Sequence, residues 1–131
     1  MNYVIDTNIA FEIAFQGEDC AKYKTLLEQA DTVLAPTLYE SEVASTLYKY
    51  IKSGCIDLQN AKISLVSMLQ FVDVYTDTSE LSIETLSESV RLNHSAYDLF
   101  YLVLARRNGA TLLTKDEHLR RLCLDCGVTV E

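Results

Sequence analysis

The sequence has 131 residues, the usual size of one domain, so we expect a single domain over 1–131 with one buried core. Hydrophobic residues make up 49% of the chain and only one residue is proline, which argues against intrinsic disorder. The formal net charge of −8 argues against the broad cationic surface of a general nucleic-acid binder, although it is compatible with an acidic site that holds a metal cation.

The first half of the chain alternates between short apolar runs and amphipathic segments. The run 3–5 is a predicted strand, and the polar residues Asp6, Thr7 and Asn8 that follow it favour the start of a helix. The next predicted elements are a helix over 19–30, a strand over 32–35, a helix from Pro36 to about 53, and a helix over 58–70. Pro36 is predicted in the first helical turn, where the amide hydrogen that proline lacks would be unpaired.

The second half continues the same alternation. Its predicted elements are a strand over 71–75, a helix to about Asn93, a helix from about Ser95 to Asn108, a strand over 111–114, a helix over 116–124 and a strand over 128–130. Gly109 is a helix stop, because glycine adopts the left-handed backbone of a C-terminal cap. Repeated strand and helix alternation predicts an α/β fold, a central parallel sheet flanked by α-helices on both faces.

Four scattered cysteines are too few for the disulfide framework of a small secreted domain. Cys123 and Cys126 form a C-x-x-C pair, but neither histidine shows a zinc-ligand spacing with it. The pair also does not open a helix after a strand, as a thioredoxin-like motif does, so we interpret Cys123 as a buried helix residue. Without a signal-peptide pattern or a run of roughly 20 apolar residues, the sequence predicts a cytoplasmic protein.

Four carboxylates fall just after predicted strands or at the starts of predicted helices. Asp6 follows the first strand, and Glu42 lies within two helical turns after the second. Asp98 lies in the first turn of its helix, and Asp116 follows strand 111–114 closely. Open parallel sheets bind ligands at this carboxyl edge of their strands.

Each carboxylate, taken singly, also has a purely structural explanation. Asp6 and Asp116 can cap helices, Asp98 can form a capping box with Ser95, and Glu42 can lie on a solvated face. Four carboxylates gathered at one edge, however, would repel one another and shift one another's pKa unless a cation neutralised them. Oxygen ligands without a usable histidine or cysteine favour Mg²⁺ or Mn²⁺, which would activate water and stabilise charge on a phosphate.

The same residues lie in four motifs that resemble, in order, those of the PIN-domain family. The motifs are Tyr3-Val4-Ile5-Asp6-Thr7-Asn8, Pro36 followed by Glu42-Val43, Tyr97-Asp98-Leu99-Phe100-Tyr101-Leu102, and Thr114-Lys115-Asp116. No single motif is specific to the family. The set of four is specific, because the motifs occur in the family's order and spacing and cover nearly the whole chain. The resemblance implies a Rossmann-like PIN domain that hydrolyses RNA with Mg²⁺ or Mn²⁺, as in the VapC-type toxins of bacterial toxin-antitoxin pairs.

The resemblance also implies which residues form the site. Its metal ligands and catalytic residues would be Asp6, Glu42, Asp98 and Asp116. The family places its second acid directly before an apolar residue, here Val43, which favours Glu42 over Glu40.

Further residues and partners follow from the same resemblance. Asn8 and Thr114 would support the site by hydrogen bonding, although ordinary cap and turn polarity explains them equally well. Apart from the resemblance, the position of Lys115 beside Asp116 makes it our first candidate for an RNA contact. The family commonly forms dimers and its toxins are held inactive by a small antitoxin, so the resemblance implies a homodimer and a cognate antitoxin.

Two other classes of function stay open. The first is a non-catalytic PIN-fold module used for interaction or regulation. The intact carboxylates at all four positions argue against it. The second is a phospho-receiver-like signalling domain. That domain would need an acidic pair at the first strand, and the helix-start positions of Asp98 and Asp116 fit it poorly.

Overall fold

Four short parallel strands form the centre of the computed structural model, which describes residues 1–131. The strands are β1 Asn2–Ile5, β2 Thr32–Pro36, β3 Val74–Thr76 and β4 Thr111–Leu113, and their order in the sheet is β3-β2-β1-β4. Seven α-helices flank the sheet, and the predicted α/β architecture is therefore confirmed.

The helices account for most of the chain. They are α1 Thr7–Ala14, α2 Cys20–Glu28, α3 Leu38–Lys52, α4 Leu58–Leu69, α5 Ser82–Leu92, α6 Ala96–Asn108 and α7 Glu117–Asp125, with a 3-10 helix over Thr78–Leu81. The helix predicted to run to Asn93 is thus two elements, and Asn93 ends the second one with a left-handed φ of 50°. None of the helices combines the length and apolar character that a membrane crossing requires.

Helix α6 is the main packing partner of the sheet. It contacts β1, β2 and β4, and its residues from Tyr101 to Ala105 are all buried. A helix that is apolar on several faces gains stability only inside the core, so packing fixes α6 against the strands. The first turn of α6, which carries Asp98, is thereby held beside the ends of the strands.

Pro36 corrects one prediction, because it is the last residue of β2 and helix α3 begins only at Leu38. Val33 and Thr37 donate their backbone N–H groups on the β3 side, to Asp73 and Thr76. Alternation along a strand turns Pro36 towards β1, whose pairing with β2 ends two residues earlier. Proline is tolerated at this position because a backbone N–H there would have no partner on β1. This is the reason that the sequence suggested, but it applies to the end of a strand and not to the first turn of a helix.

Three predicted strands are shorter in the structure, and the one predicted over 111–114 ends at Leu113. The segment predicted to begin a strand at Phe71 instead completes the end of α4, since the N–H of Phe71 bonds to the carbonyl of Met68, and β3 begins at Val74. The predicted strand 128–130 is reduced to one parallel bridge between Leu112 and Val130. Cys123 is fully buried on α7, and burial raises the pKa of its thiol to about 12.

Candidate functional site

A cleft of about 530 Å³ lies where the chain leaves β1, β2 and β4. Five carboxylates line it, namely Asp6, Glu12, Glu42, Asp98 and Asp116. The four carboxylates that the sequence predicted together are thus brought to one cavity, and Glu12 joins them. Lys115 is the one basic residue among those that line the cleft.

Asp6 lies deepest in this group, with only 8% of its surface exposed. As the N-cap of α1, it accepts the N–H of Thr7 at 2.7 Å on one oxygen. Its other oxygen accepts the hydroxyl of Thr114 at 2.7 Å and the amide of Asn8 at 3.1 Å. Burial outweighs these bonds and, with the negative charges of Glu42 and Asp98, raises the pKa of Asp6 from 3.8 to about 7.

Asn8 and Thr114 connect the ends of β1 and β4. Besides Asp6, the amide nitrogen of Asn8 contacts the hydroxyl of Thr114 at 3.3 Å. The amide oxygen of Asn8 accepts the N–H of Lys115 at 3.0 Å, and Thr114 also accepts the N–H of Asp116 at 3.1 Å. These two side chains therefore fix the backbone around Asp116 relative to Asp6.

Glu42 projects from the second turn of α3 towards α6. Its carboxylate accepts the hydroxyl of Tyr101 at 2.5 Å and that of Thr7 at 3.4 Å. Burial raises the pKa of Glu42, the bond from Tyr101 opposes this shift, and the charge of Asp98 adds to it. The competing residue Glu40 is exposed and does not line the cleft.

Asp98 and Asp116 lie at the starts of α6 and α7. The predicted capping box between Asp98 and Ser95 is not formed, because Ser95 makes no side-chain cap bond and Asp98 instead accepts Nε2 of His94 at 2.9 Å. Asp116 does cap α7, through one oxygen that accepts the N–H of Leu119 at 3.0 Å. Its other oxygen has no such partner.

Lys115 is paired with acidic side chains at the mouth of the cleft. Its ammonium lies 3.1 Å from a carboxylate oxygen of Glu12 and 3.1 Å from one of Asp19. The second oxygen of Glu12 accepts the N–H of Asp19 at 2.7 Å. These contacts raise the pKa of Lys115, and the contact with Asp19 has the largest effect. They also keep its ammonium at the mouth of the cleft.

Sequence reasoning gave no role in the site to four residues that the structure places there. Thr7, His94 and Tyr101 bond to cleft carboxylates, and Glu12 lines the cleft. Helical spacing could have found two of them. Glu12 follows Asn8 by four residues on α1, and Tyr101 follows Asp98 by three on α6, so each shares a helix face with a predicted site residue. His94 precedes α6, and no helix pattern points to it.

The chemistry of the cleft fits a divalent metal ion. All of its acidic groups offer oxygen ligands, and burial makes at least Asp6 and Glu42 unfavourable as isolated anions, an effect that a cation would reverse. No three acidic, histidine or cysteine side chains form a closed ligand cage in this conformation. Mg²⁺ does not require one, because it keeps several waters and is usually held by one or two carboxylates.

Comparisons with known proteins agree with this architecture. The crystal structure of PAE2754 from Pyrobaculum aerophilum is similar, with a TM-score of 0.74 and 23% identity over 92% of this chain and 86% of that one. The structure of VapBC2 from Rickettsia felis, bound to a DNA fragment from their promoter, is similar with a TM-score of 0.70 and 17% identity over 100% of this chain and 98% of that one. None of the curated proteins matches this chain in sequence.

The similarity to these two structures, at such low identity, concerns the fold alone. The family comparison reaches further, because the model of the PIN domain matches residues 3–124 and so covers nearly the whole sequence. The chain therefore belongs to the PIN-domain family.

Proposed function

We propose that this protein is a metal-dependent endoribonuclease that hydrolyses RNA phosphodiester bonds, and that it is the toxin of a type II toxin-antitoxin pair. Asp6, Glu42, Asp98 and Asp116 would hold Mg²⁺ or Mn²⁺ and form the catalytic site. PIN domains are generally nucleases, which supports the reaction class.

One observation carries the proposal more than any other. Four carboxylates that are spread along the chain, one after β1, one on α3, one on α6 and one after β4, line a single cleft. Helix capping accounts for Asp6 and Asp116, but it does not explain why Glu42 and Asp98 face the same space. A shared cation accounts for all four, because a positive ion offsets their mutual repulsion in a partly buried site.

When bound, a divalent ion supplies two things, a lowered pKa for water and stabilisation of the charge that develops on the phosphate. The side chains of the protein prepare this site. Thr114 and Asn8 hold the carboxylate of Asp6, while Tyr101 and Thr7 hold that of Glu42. Ligands that are already oriented lose less conformational entropy on binding, which favours a defined position for the scissile phosphate.

Lys115 would contact an RNA phosphate beside the acidic group. In the structure its ammonium is shared between Glu12 and Asp19, so its charge is already positioned at the mouth of the cleft. An approaching phosphate would compete with these two carboxylates for the ammonium. Lys115 is therefore the one basic side chain lining the cleft that could exchange these carboxylates for an RNA phosphate.

The proposed partners are a cognate antitoxin and a second copy of this chain in a homodimer. The neighbour from Rickettsia felis is a VapBC2 assembly bound to promoter DNA, which supports the antitoxin. The homodimer rests on the resemblance to the family, in which dimers are common.

The proposal is tested by incubating the purified protein with single-stranded and structured RNAs in Mg²⁺, in Mn²⁺ or in EDTA. Asp6→Asn removes one ligand charge with little change of volume, and we expect it to abolish cleavage. Glu40→Gln is the matched control, because it removes a carboxylate from the same helix as Glu42 but outside the cleft, and we expect wild-type rates.

Cleavage at wild-type rates by Asp6→Asn, or in EDTA, would contradict the proposed site and its metal. If folded wild-type protein cut none of these RNAs and bound no Mn²⁺, the nuclease assignment itself would be wrong, and a non-catalytic PIN module would replace it.

A further inference from the structure

His94 makes the one side-chain hydrogen bond that Asp98 has in the structure. Its Nε2 donates to one oxygen of Asp98 at 2.9 Å, since an ionised carboxylate can only accept. The side chain of His94 is partly buried, with 11% of it exposed, whereas that of Asp98 is 36% exposed. Asp98 lines the acidic cleft and His94 does not, so His94 lies behind the carboxylate rather than beside an ion.

The backbone of His94 is fixed in the turn between α5 and α6. Asn93 adopts a left-handed φ of 50°, and the N–H of His94 then bonds back to the carbonyl of Ser89 at 3.1 Å. The hydroxyl of Ser89 donates in turn to the carbonyl of His94. These two hydrogen bonds to Ser89 fix the backbone of His94 relative to α5.

The imidazole ring is also packed against α7. It meets the ring of His118 edge-on, with the ring centres 4.5 Å apart. His118 belongs to the first turn of α7, two residues after the cap residue Asp116. His94 therefore contacts two of the three helices that begin at cleft carboxylates: α6 through a hydrogen bond and α7 through ring packing.

The four proposed metal ligands differ in how their carboxylates are held. Asp6 has three donors, Glu42 has two hydroxyls, and Asp116 has the backbone of its own helix. Asp98 has His94 alone. Without this bond, Asp98 would be a half-exposed aspartate free to rotate, and fixing it on metal binding would cost conformational entropy.

We propose that His94 is a positioning residue for the metal site: its Nε2–H holds one oxygen of Asp98 and leaves the other oriented for a divalent cation. The inference rests on the proposed function, since it takes Asp98 to be a metal ligand. Hydrogen-bonded partners of metal ligands typically contribute 10- to 100-fold to metal affinity. His94 would act in this way without touching metal or RNA.

The test measures Mn²⁺ binding in the absence of RNA, by the loss of the free-ion signal in electron paramagnetic resonance. His94→Phe keeps a ring against His118 but has no donor, and we expect it to bind Mn²⁺ about 10- to 100-fold more weakly. His94→Gln and His94→Met form a matched pair, because both lose the ring and only glutamine can donate. We expect the Gln variant to bind within a few-fold of wild type and the Met variant to bind as weakly as Phe.

Two controls separate the possible causes. His118→Phe keeps the ring contact and leaves the bond to Asp98 intact, so its Mn²⁺ affinity should equal that of wild type. Thermal unfolding of each variant reports whether it folds. A measurement on the wild-type protein needs no variant: Mg²⁺ should shift the ¹⁵N resonance of Nε2 of His94 more than that of His118.

Each result bears on the inference. Wild-type affinity in His94→Phe, equal losses in the Gln and Met variants, or a His94 resonance that Mg²⁺ leaves unmoved would overturn it. If Asp6→Asn loses Mn²⁺ while His94→Phe keeps it, the proposed function stands and only the role of His94 falls. If wild-type protein binds no Mn²⁺, both fall together.

Discussion

Asp6→Asn should make the metal-free protein more stable at neutral pH, although it removes a residue of the proposed catalytic site. Burial raises the pKa of Asp6 from 3.8 in an unfolded chain to about 7 in the fold. At about 1.4 kcal/mol for each pKa unit, ionised Asp6 therefore costs the folded state about 4 kcal/mol above pH 7. Asparagine carries no charge and keeps one oxygen, which can still accept the N–H of Thr7.

The sign of the pH dependence follows from the direction of this shift. Between pH 3.8 and 7, the unfolded chain has lost the proton of Asp6 while the folded chain still holds it. The contribution of Asp6 to stability is therefore fully present at low pH and is lost as the pH rises to 7 and above. Relative to Asp6→Asn, the wild type should lose about 3 kcal/mol between pH 5 and pH 8.

The assay is urea unfolding of both proteins in EDTA, from pH 5 to pH 8.5. The difference between the two unfolding free energies cancels the titration of the carboxylates that do not interact with Asp6. A difference that stays constant over this range would refute the reasoning, because a buried charge must become more costly as it ionises. Mg²⁺ should then stabilise the wild type, by about 2.7 kcal/mol at a hundred times its dissociation constant, but not the variant.

Two further variants test the packing around the cleft. Gly17→Ala should lower the free energy of unfolding by about 1 to 3 kcal/mol in urea, because its Cβ would lie 2.3 Å from Oε1 of Glu12. The N–H of Asp19 holds this oxygen in place, and Lys115 holds the other oxygen of the same carboxylate. The same change in a Glu12→Ala background should be nearly neutral, and an equal loss there would contradict this cause. Tyr101→Phe should raise the pKa of Glu42 further, since the lost hydroxyl favours the ionised carboxylate. NMR titration of the carboxyl carbon measures this pKa, and a downward shift would count against the proposed contact.

The sequence predicts the architecture well because the relevant signals are local. Apolar runs of strand length alternate with amphipathic segments, and parallel strands place the residues that follow them at one edge. This reasoning found all four carboxylates that share the cleft with Glu12. It also ranked Glu42 over Glu40, which the structure leaves exposed and outside the cleft.

The errors arose where one local signal fits two structures. A proline without its N–H suits the first turn of a helix and also the end of a strand, and only the early end of β1 decides between them for Pro36. Phe71 favours a strand by its side chain, but its N–H completes the last turn of α4.

The partners of the acidic residues depend on contacts between distant elements. Tyr101 lies 59 residues from Glu42 in sequence, and nothing in the residues near Glu42 indicates that a buried hydroxyl will bond to it. The capping box expected at Ser95 and Asp98 has the usual sequence spacing, yet His94 supplies the donor instead. Ser95 and His94 are both close to Asp98 in sequence, and only the folded structure shows that His94 is the residue that bonds to its carboxylate.

The bond from Thr114 to Asp6 joins residues that are 108 positions apart. During synthesis, β1 is made before its neighbour β4, and the N–H of Asp6 has no partner until the carbonyl of Leu113 has been made. A nascent chain that lacks β4 therefore has no donor from that strand to offset the burial of Asp6, and it has no Asp116. The acidic cleft can therefore assemble only after β4 and the residues that follow it, Thr114 and Asp116, have been translated.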